Sequence, residues 1–468
     1  MFSLVIPYLT GGYAVAAVLA AVLAAICTLR LLVPRFLYQA RLSQLPLLNG
    51  SQSAAQQRKT FLESAHSLYL DGYSKILEAK YTNVLTDLAA VAHTVRSDLT
   101  PALASINPII YEEVNQVMRE DLPECRDWTS IPAYMTIVSM VAKITGRVFV
   151  GADLCRNPDY LDSAVNYAVD VLRAQKEIKF IHPLLRPFIA PRLPSVQRLR
   201  VREKKAAEFF EPIVQARLNS EANDPNYQQP DGMLSSLMSS GRGRGIISAA
   251  ELAKTQLGII FAAVHTTSES MTHIMYDLAV SPECIGPLRD EIRSVMAEHN
   301  GTITTRALQQ MMKLDSFMRE SLRLHPPLTT TSHREVIQPF SFSNGQKIPA
   351  GATIELPSRA VGRDAANYPD SQVFDGFRHY RARQTGTARD HARNQFVTSN
   401  EQNLVFGYGK HACPGRFFAA NEIKMLLARI ILEFDFKNED GSAERYKDIE
   451  IGPLIAPDTK RNLLLRRV

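Results

Sequence analysis

A mainly α-helical domain with a small β component, preceded by an N-terminal membrane-spanning helix, is the fold class that this 468-residue sequence predicts. Three observations carry the prediction. No charged side chain occurs from Phe2 to Leu29, and Val15 to Leu29 is nearly all Ala, Val, Leu and Ile. Helix-compatible patterns then recur from residue 54 to residue 432, whereas alternation of strand type is confined to about 336–357. With 46% hydrophobic and 21% charged residues the chain is too apolar to be disordered and too mixed to be fibrous.

The uncharged run spans 28 residues, and about 20 suffice to cross the hydrocarbon layer. A cleaved signal peptide would carry a basic segment before a shorter apolar core, and neither is present. Residues 1–30 are therefore predicted to be a retained anchor. Arg30, Arg35 and Arg41 follow the span, which places the main body in the cytosol. A linker over 31–53, stiffened by Pro34 and Pro46, leads into one domain over 54–468. Five scattered cysteines, Cys27, Cys125, Cys155, Cys284 and Cys413, build no disulfide framework and fit a reducing compartment. A net charge of +6 is a mild excess that favours an anionic membrane surface. No Lys/Arg block with interleaved aromatics points to nucleic acid.

Helices are predicted at about 54–78, 84–106, 108–119, 131–148, 159–177, 195–220, 248–279, 283–298, 304–324 and 416–432. Residues 219–245 read as a loop with one short helix. Near 336–357, Phe340 and Phe342 alternate with serines, Asn344-Gly345 supplies a hairpin turn, and Thr353 to Leu356 can return. Residues 381–404 are polar, basic and aperiodic, a long surface segment.

Chemistry concentrates in Phe406-Gly-Tyr-Gly-Lys-His-Ala-Cys413-Pro-Gly-Arg-Phe. Gly407, Gly409 and Gly415 crowd one cysteine, which calls for a tight loop and close backbone approach. An amphipathic helix follows, so Cys413 sits at a helix N-terminus, where N–H groups stabilise a thiolate. An inert buried cysteine would not require the glycines, and a nucleophile would lean on His411 two residues away. A metal-ligating thiolate explains glycines, helix and lone cysteine together. Earlier in the chain, Ser248 and Glu251 open a helix that is apolar nearly all round from Leu257 to Val264 and then turns polar at His265, Thr266, Thr267, Ser268 and Glu269. Such a helix runs through a domain centre. The bland reading of Thr266 is a back-bond to the carbonyl of Ala262.

Phe406-x-x-Gly409-x-His411-x-Cys413-x-Gly415 resembles the haem-thiolate signature of cytochromes P450. Glu320-Ser-Leu-Arg323 resembles the family's Glu-x-x-Arg, and Phe374-Asp-Gly-Phe377-Arg378 the segment whose arginine completes that ion-pair cluster. Gly151-Ala-Asp-Leu-Cys155-Arg-Asn-Pro and Phe261 to Ser268 are similar to membrane-bound P450s of fungal secondary metabolism. The resemblance runs from about residue 91 to the C-terminus. It implies a P450-like helical fold, haem b ligated by Cys413, and O₂ as co-substrate. It also implies electrons from NADPH through a cytochrome P450 reductase, and a single-pass location in the endoplasmic reticulum membrane. His411, Arg334 and Arg96 take positions suited to the haem propionates, with His93 near the last. Thr266 matches the threonine that manages protons for oxygen activation; the acid normally before it is replaced by His265, whose imidazole can relay protons.

The implied activity is monooxygenation of an apolar small molecule of terpenoid, meroterpenoid or indole-diterpene type. A polyketide-directed enzyme and an inactive truncated haem-binding remnant are the alternatives. The second alternative arises because Ser74 to Ala90, seventeen residues read as continuous helix, stands where the family has two strands, a helix and a long loop. This apparent internal deletion would remove the substrate lid and expose a sheet edge.

Overall fold

In the computed structural model of the chain, residues 69–70, 79–82, 89–224, 226–227, 232–242, 248–336 and 338–468 are described. The predicted anchor, the linker, most of the first predicted helix, and residues 74–78 and 83–88 of the deletion segment lie outside the described residues. Among the described residues no helix is long and apolar enough to cross a membrane. The chain divides into two compact units, residues 1–70 with 334–354, and residues 71–333 with 355–468.

The smaller unit is built from short strands. β1 (Tyr69–Leu70) lies where a helix was expected, and pairs antiparallel with the end of β3 (Thr331–Val336), Tyr69 opposite Val336. β4 (Phe340–Ser341) and β5 (Lys347–Ile348) form the Asn-Gly hairpin, with Gly345 at φ +84° supplying the turn that a Cβ would strain. The return arm is thus Lys347-Ile348, not Thr353 to Leu356. That segment is β6 (Thr353–Leu356), which belongs to the sheet ordered β1-β3-β6. Val336, Phe342, Ile348 and Ala352 make this unit's own small core.

The larger unit is helical. Its elements run α1 (Ala79–Thr82), α2 (Ala89–Thr94), α3 (Leu103–Asp121), β2 (Thr129–Ile131), α4 (Ala133–Phe149), α5 (Pro158–Phe180), α6 (Arg186–Ile189), α7 (Pro194–Asn223), α8 (Met233–Arg242), α9 (Ala249–Ala279), α10 (Pro282–Glu298), α11 (Thr305–Gln310) and α12 (Met312–Leu324). After the strands come α13 (Ser358–Gly362), α14 (Arg378–Thr385), α15 (Ala388–Arg393), α16 (Arg416–Glu433), β7 (Phe434–Asn438), β8 (Ile449–Ile451), β9 (Leu454–Ala456) and β10 (Leu463–Arg467).

Local chemistry explains the ends. Asn157 caps α5, accepting from the N–H of Asp159 at 2.9 Å, and Pro158 supplies the first helical φ. Ser248 accepts from the N–H of Glu251 at the start of α9. The predicted helix over 84–106 breaks: α2 passes into a π-helical turn, Val95–Leu99, and α3 begins after Pro101. The predicted helix over 304–324 breaks at Met311, whose backbone leaves helical values (φ −73°, ψ 69°).

α9 is the axis of this unit, packed against α4, α5, α7, α12 and α16. One apolar core runs from Ile110 through Ile137 and Ile260 to Leu427 and Ile431. Residues 381–404 depart from the surface reading. α14 and α15 occupy the first part, and Arg383, Phe396, Asn400 and Asn403 are buried. Side chains of α12 hold this segment, which spacing within it could not show.

Candidate active site

The loop before α16 is wound tightly enough to need its glycines. Gly407 and Gly409 both adopt left-handed backbone, φ +73° and +64°. The N–H of Gly407 reaches the carbonyl of Leu404 at 2.9 Å, and the N–H of Cys413 that of Phe406 at 2.7 Å. Gly409 to His411 make a single 3₁₀ turn. Arg96 reaches across from the π-helical turn and donates to the carbonyl of Lys410 at 2.7 Å. Arg416, the first residue of α16, donates to the carbonyls of Cys413 (2.7 Å) and Val397 (3.1 Å).

These contacts present one sulfur. Burial pushes the Cys413 thiol above its ordinary pKa; against this, the N–H groups of Gly415 and Arg416 donate to the sulfur, and the charges of Arg416 and Arg96 favour the thiolate. The side chain is nevertheless exposed. The sulfur is thus partly desolvated yet reachable. Gly415 adds a second sign: its φ of −84° suits any residue, and a Cβ there would meet nothing within 4 Å. Open space beside a thiolate-stabilising donor set fits a metal-centred macrocycle, and the residues present fit the haem that the sequence resemblance implies.

The scaffold behind the loop is α12. Glu320, fully buried, receives Arg323 through two parallel bonds of 2.8 and 2.7 Å and Arg378 at 3.1 Å. Arg323 also donates to the carbonyls of Gly362 (2.7 Å) and Ser371 (2.5 Å). Burial alone would raise the carboxyl pKa, but the bonds from Arg323 and His379 and their charges lower it to about 2. The opposite side of α12 grips the segment preceding the cysteine loop. Asp315 accepts from the N–H of Phe396 (2.9 Å), Arg383 (2.9 Å) and Lys424 (2.6 Å), and Arg319 donates to the carbonyls of Gln395 and Thr398. Phe396 packs edge-on against Phe406 at 5.3 Å, and the carbonyl of Phe406 holds Cys413. A chain of contacts therefore joins the Glu320 helix to the sulfur.

On α9, beyond its first turn, Ala262 and Thr266 are the exposed residues among those described. The Thr266 hydroxyl donates to the carbonyl of Ala262 at 2.7 Å. His265 is differently placed. Its Nε2 lies 2.7 Å from the carbonyl of Val165, which can only accept, so Nε2 carries the proton and Nδ1 accepts from Tyr134 Oη at 2.8 Å. Burial lowers its pKa. With both ring nitrogens spent on α4 and α5, the imidazole has no site left with which to relay protons, contrary to the sequence expectation.

The structure brings Cys413, Phe406, Gly409, Gly415, His411 and Arg96 into one loop and its clamp, and Glu320, Arg323 and Arg378 into one buried cluster. His411 and His93 are exposed. Arg334, half-buried on β3, belongs to the smaller unit. Sequence reasoning missed His379, buried with Nε2 3.3 Å from Glu320, although it directly follows Arg378. It also missed Glu422, nine residues beyond Cys413. That carboxyl accepts from Thr145 at 2.9 Å, leaves its second oxygen unpartnered, and is pushed up by burial to a pKa of about 8.

Comparison with known proteins agrees over almost the whole chain. A family profile described as Cytochrome P450 matches residues 49–464. Cytochrome P450 monooxygenase ATR3 of Stachybotrys chlorohalonatus is 35% identical over 93% of this chain and 92% of its own length. Cytochrome P450 monooxygenase TES1 of Alternaria alternata is 31% identical over 93% and 90%, and paxP of Penicillium paxilli 33% over 83% and 74%. Among solved structures, a retinoic acid-bound cyanobacterial CYP120A1 shares the fold with a TM-score of 0.68 at 19% identity, covering 88% of each chain.

Proposed function

Because the chain belongs to the cytochrome P450 family and is a monooxygenase of that family, we propose that it holds haem b through the Cys413 thiolate and oxidises an apolar, isoprenoid-derived secondary metabolite with O₂ and electrons passed from NADPH by a reductase. The observation that carries the reading is the Cys413 sulfur, reachable yet set among two backbone N–H donors and two arginines.

When bound, haem supplies oxygen activation, and thiolate donation favours O–O cleavage. The chain's own residues do the rest. Gly415 and Arg416 N–H groups spread the sulfur's charge, and Arg96 fixes the loop that carries it. The Glu320, Arg323, Arg378 and His379 cluster keeps α12 and the residues it grips in place. Thr266 offers a hydroxyl on the open face of the central helix, its own proton directed to Ala262, so an oxygen lone pair remains to accept.

Membrane tethering belongs to the same proposal. It rests on the uncharged run at residues 2–29. Phe180, Leu184, Leu185 and Phe188, all exposed around the start of α6, offer a second apolar contact for an endoplasmic reticulum surface. By its length, the segment at 74–90 is read as too short to supply the family's lid, and a form with a longer segment is expected to couple better. The absorption spectrum of the reduced, CO-bound protein tests the haem assignment. A thiolate-type band is expected, lost in Cys413→Ser. Its absence from the wild type, or its persistence in the variant, would overturn the reading.

A further inference from the structure

His265 faces away from Thr266, so the open face of α9 lacks the acid that the family resemblance expects at that position. Another acid stands on the same face. In an α-helix, positions four and three apart share a side, so Ala262, Thr266 and Glu269 form one strip, with His265 at its margin, four positions before Glu269 but with its ring turned to Tyr134 and Val165. Ala262 and Thr266 are exposed and Glu269 half-buried, whereas Val264, Thr267, Ser268 and Ser270 beside them are buried. Ala262 and Thr266 are thus the two exposed residues between Phe261 and Ser270.

Glu269 is chemically idle in the fold. It makes no hydrogen bond or ion pair with any described residue. The groups that bond around it are saturated by others. Ser268 donates to the carbonyl of Val264 and Ser270 to that of Thr266, while Tyr134, packed in from α4, gives its proton to His265. A half-buried carboxyl kept without a partner is costly unless its neutral form is used. Burial raises its pKa to about 7, with no cation to offset it. The titratable neighbours are His265 on its own helix, neutral and locked, and Tyr134, whose phenol is driven upward by burial and by the nearby Glu269 charge.

We propose that Glu269 is the proton-relay residue of this strip, standing one turn beyond Thr266 in place of the acid absent at position 265. In the relay step the neutral carboxyl releases its proton to water on the strip beside Thr266 and becomes a carboxylate. A proton from bulk solvent then restores the acid; no electron moves and no covalent bond other than O–H is broken or formed. The inference rests on the haem-thiolate reading above.

The test uses the full chain, haem-loaded and supplied with reductase and NADPH under air, as wild type, Glu269→Gln and Glu269→Asp. Wild-type NADPH oxidation is expected to fall as pH rises through about 7. Glu269→Gln should slow it roughly a hundredfold at pH 6, the lower end of the usual contribution of general acid catalysis, and flatten the profile, while Glu269→Asp keeps a sloped one. Infrared difference spectra without turnover give the second readout. A carboxylic acid C=O band should disappear with a midpoint near pH 7 in the wild type and be missing from Glu269→Gln. A normal CO spectrum in Glu269→Gln, together with an unchanged pH profile, would overturn the inference. So would the lack of a carboxyl band that titrates near pH 7 in the wild type and is missing from Glu269→Gln, Glu422 giving a separate band near pH 8 that stays in that variant; this decides the matter even if the variant loads no haem. A wild type with no thiolate-type CO spectrum would instead sink the haem reading, and the infrared titration would still report on Glu269.

Discussion

The two sides of the candidate site are built on opposite principles. On the Cys413 side most of the strong groups are answered. Glu320 is held by Arg323, Arg378 and the His379 ring, Asp315 has three donors, and Arg96, Arg319 and Arg416 each close on backbone carbonyls. On the α9 side, His265, Thr266, Ser268 and Ser270 spend their bonds sideways or on their own helix, and Glu269 spends none. A site that must hold a thiolate still profits from saturation, because a saturated network has one geometry. A face that must pass protons needs a group left unsaturated. The contrast predicts that substitutions on the cysteine side are read out first in stability, and those on α9 first in chemistry.

The largest effect is expected at Glu320. Removing either member of a buried pair strands the other charge, at about 3–5 kcal/mol, a large share of a domain's stability. Glu320→Ala and Arg323→Ala should therefore lose folded yield and haem content together, measured by thermal unfolding and CO spectrum. Acid should act in the same way on the wild type. The carboxyl titrates near 4.5 when unfolded and about 2 when folded, so its contribution is intact above 4.5 and is lost as pH falls toward 2. Normal folding in both variants would mean that saturation is incidental on this side.

Glu422 sharpens the comparison, being an acid on the cysteine side with an unpartnered oxygen. Its folded pKa of about 8 lies above the unfolded value of 4.5, so between these values the folded chain binds more protons and stability falls as pH rises. The loss approaches about 1.4 kcal/mol per pH unit well below 8 and flattens near 8, giving about 2 kcal/mol from pH 6 to pH 8. Glu422→Gln should remove that slope in denaturant titrations at the two pH values. An unchanged slope would show that the carboxyl is already ionised in the fold.

Sequence reached these two sides unequally, and the reason is range. The cysteine loop is local: its glycines, its turn and the N-terminus of α16 all lie within Leu404 to Arg416, so spacing alone could assemble it. Glu320 and Arg323 are three residues apart on one helix and were visible as a pair. Their burial, and the arrival of His379, depend on a segment more than fifty residues on. His265 shows the limit. Its bonds go to Tyr134 and Val165, in helices 131 and 100 residues away, and nothing in the spacing of Val264 to Glu269 marks which way the ring turns. The hairpin erred for a smaller reason. Lys347-Ile348 is too short to show alternation, whereas Thr353 to Leu356 is long enough to imitate the missing arm.

His265→Gln should cost less than the changes above. A glutamine can keep one of the two hydrogen bonds, so a loss of about 1–2 kcal/mol is expected, seen as a lowered unfolding midpoint. The pH profile of NADPH oxidation should keep its shape, because the imidazole is neutral and fully bonded. A shifted profile with unchanged stability would restore the relay role to His265 and break the contrast.

Thr266→Val carries the smallest stability change and the most selective test. Valine keeps the branched shape, and the lost hydroxyl bond goes to Ala262 of the same helix, whose carbonyl is already engaged as a helical acceptor. Unfolding midpoints should therefore move by less than about 0.5 kcal/mol equivalent, as for other exposed sites. Chemistry should move more, since the oxygen lone pair that accepts on the open strip disappears while Glu269 stays in place. Peroxide released per NADPH should rise several-fold, with the pH dependence that Glu269 imposes still present. Loss of that dependence in Thr266→Val would mean that threonine and acid act only as a unit. Unchanged peroxide with unchanged stability would make the exposed hydroxyl a helix back-bond and nothing more, and the α9 face would then owe its chemistry to the carboxyl alone.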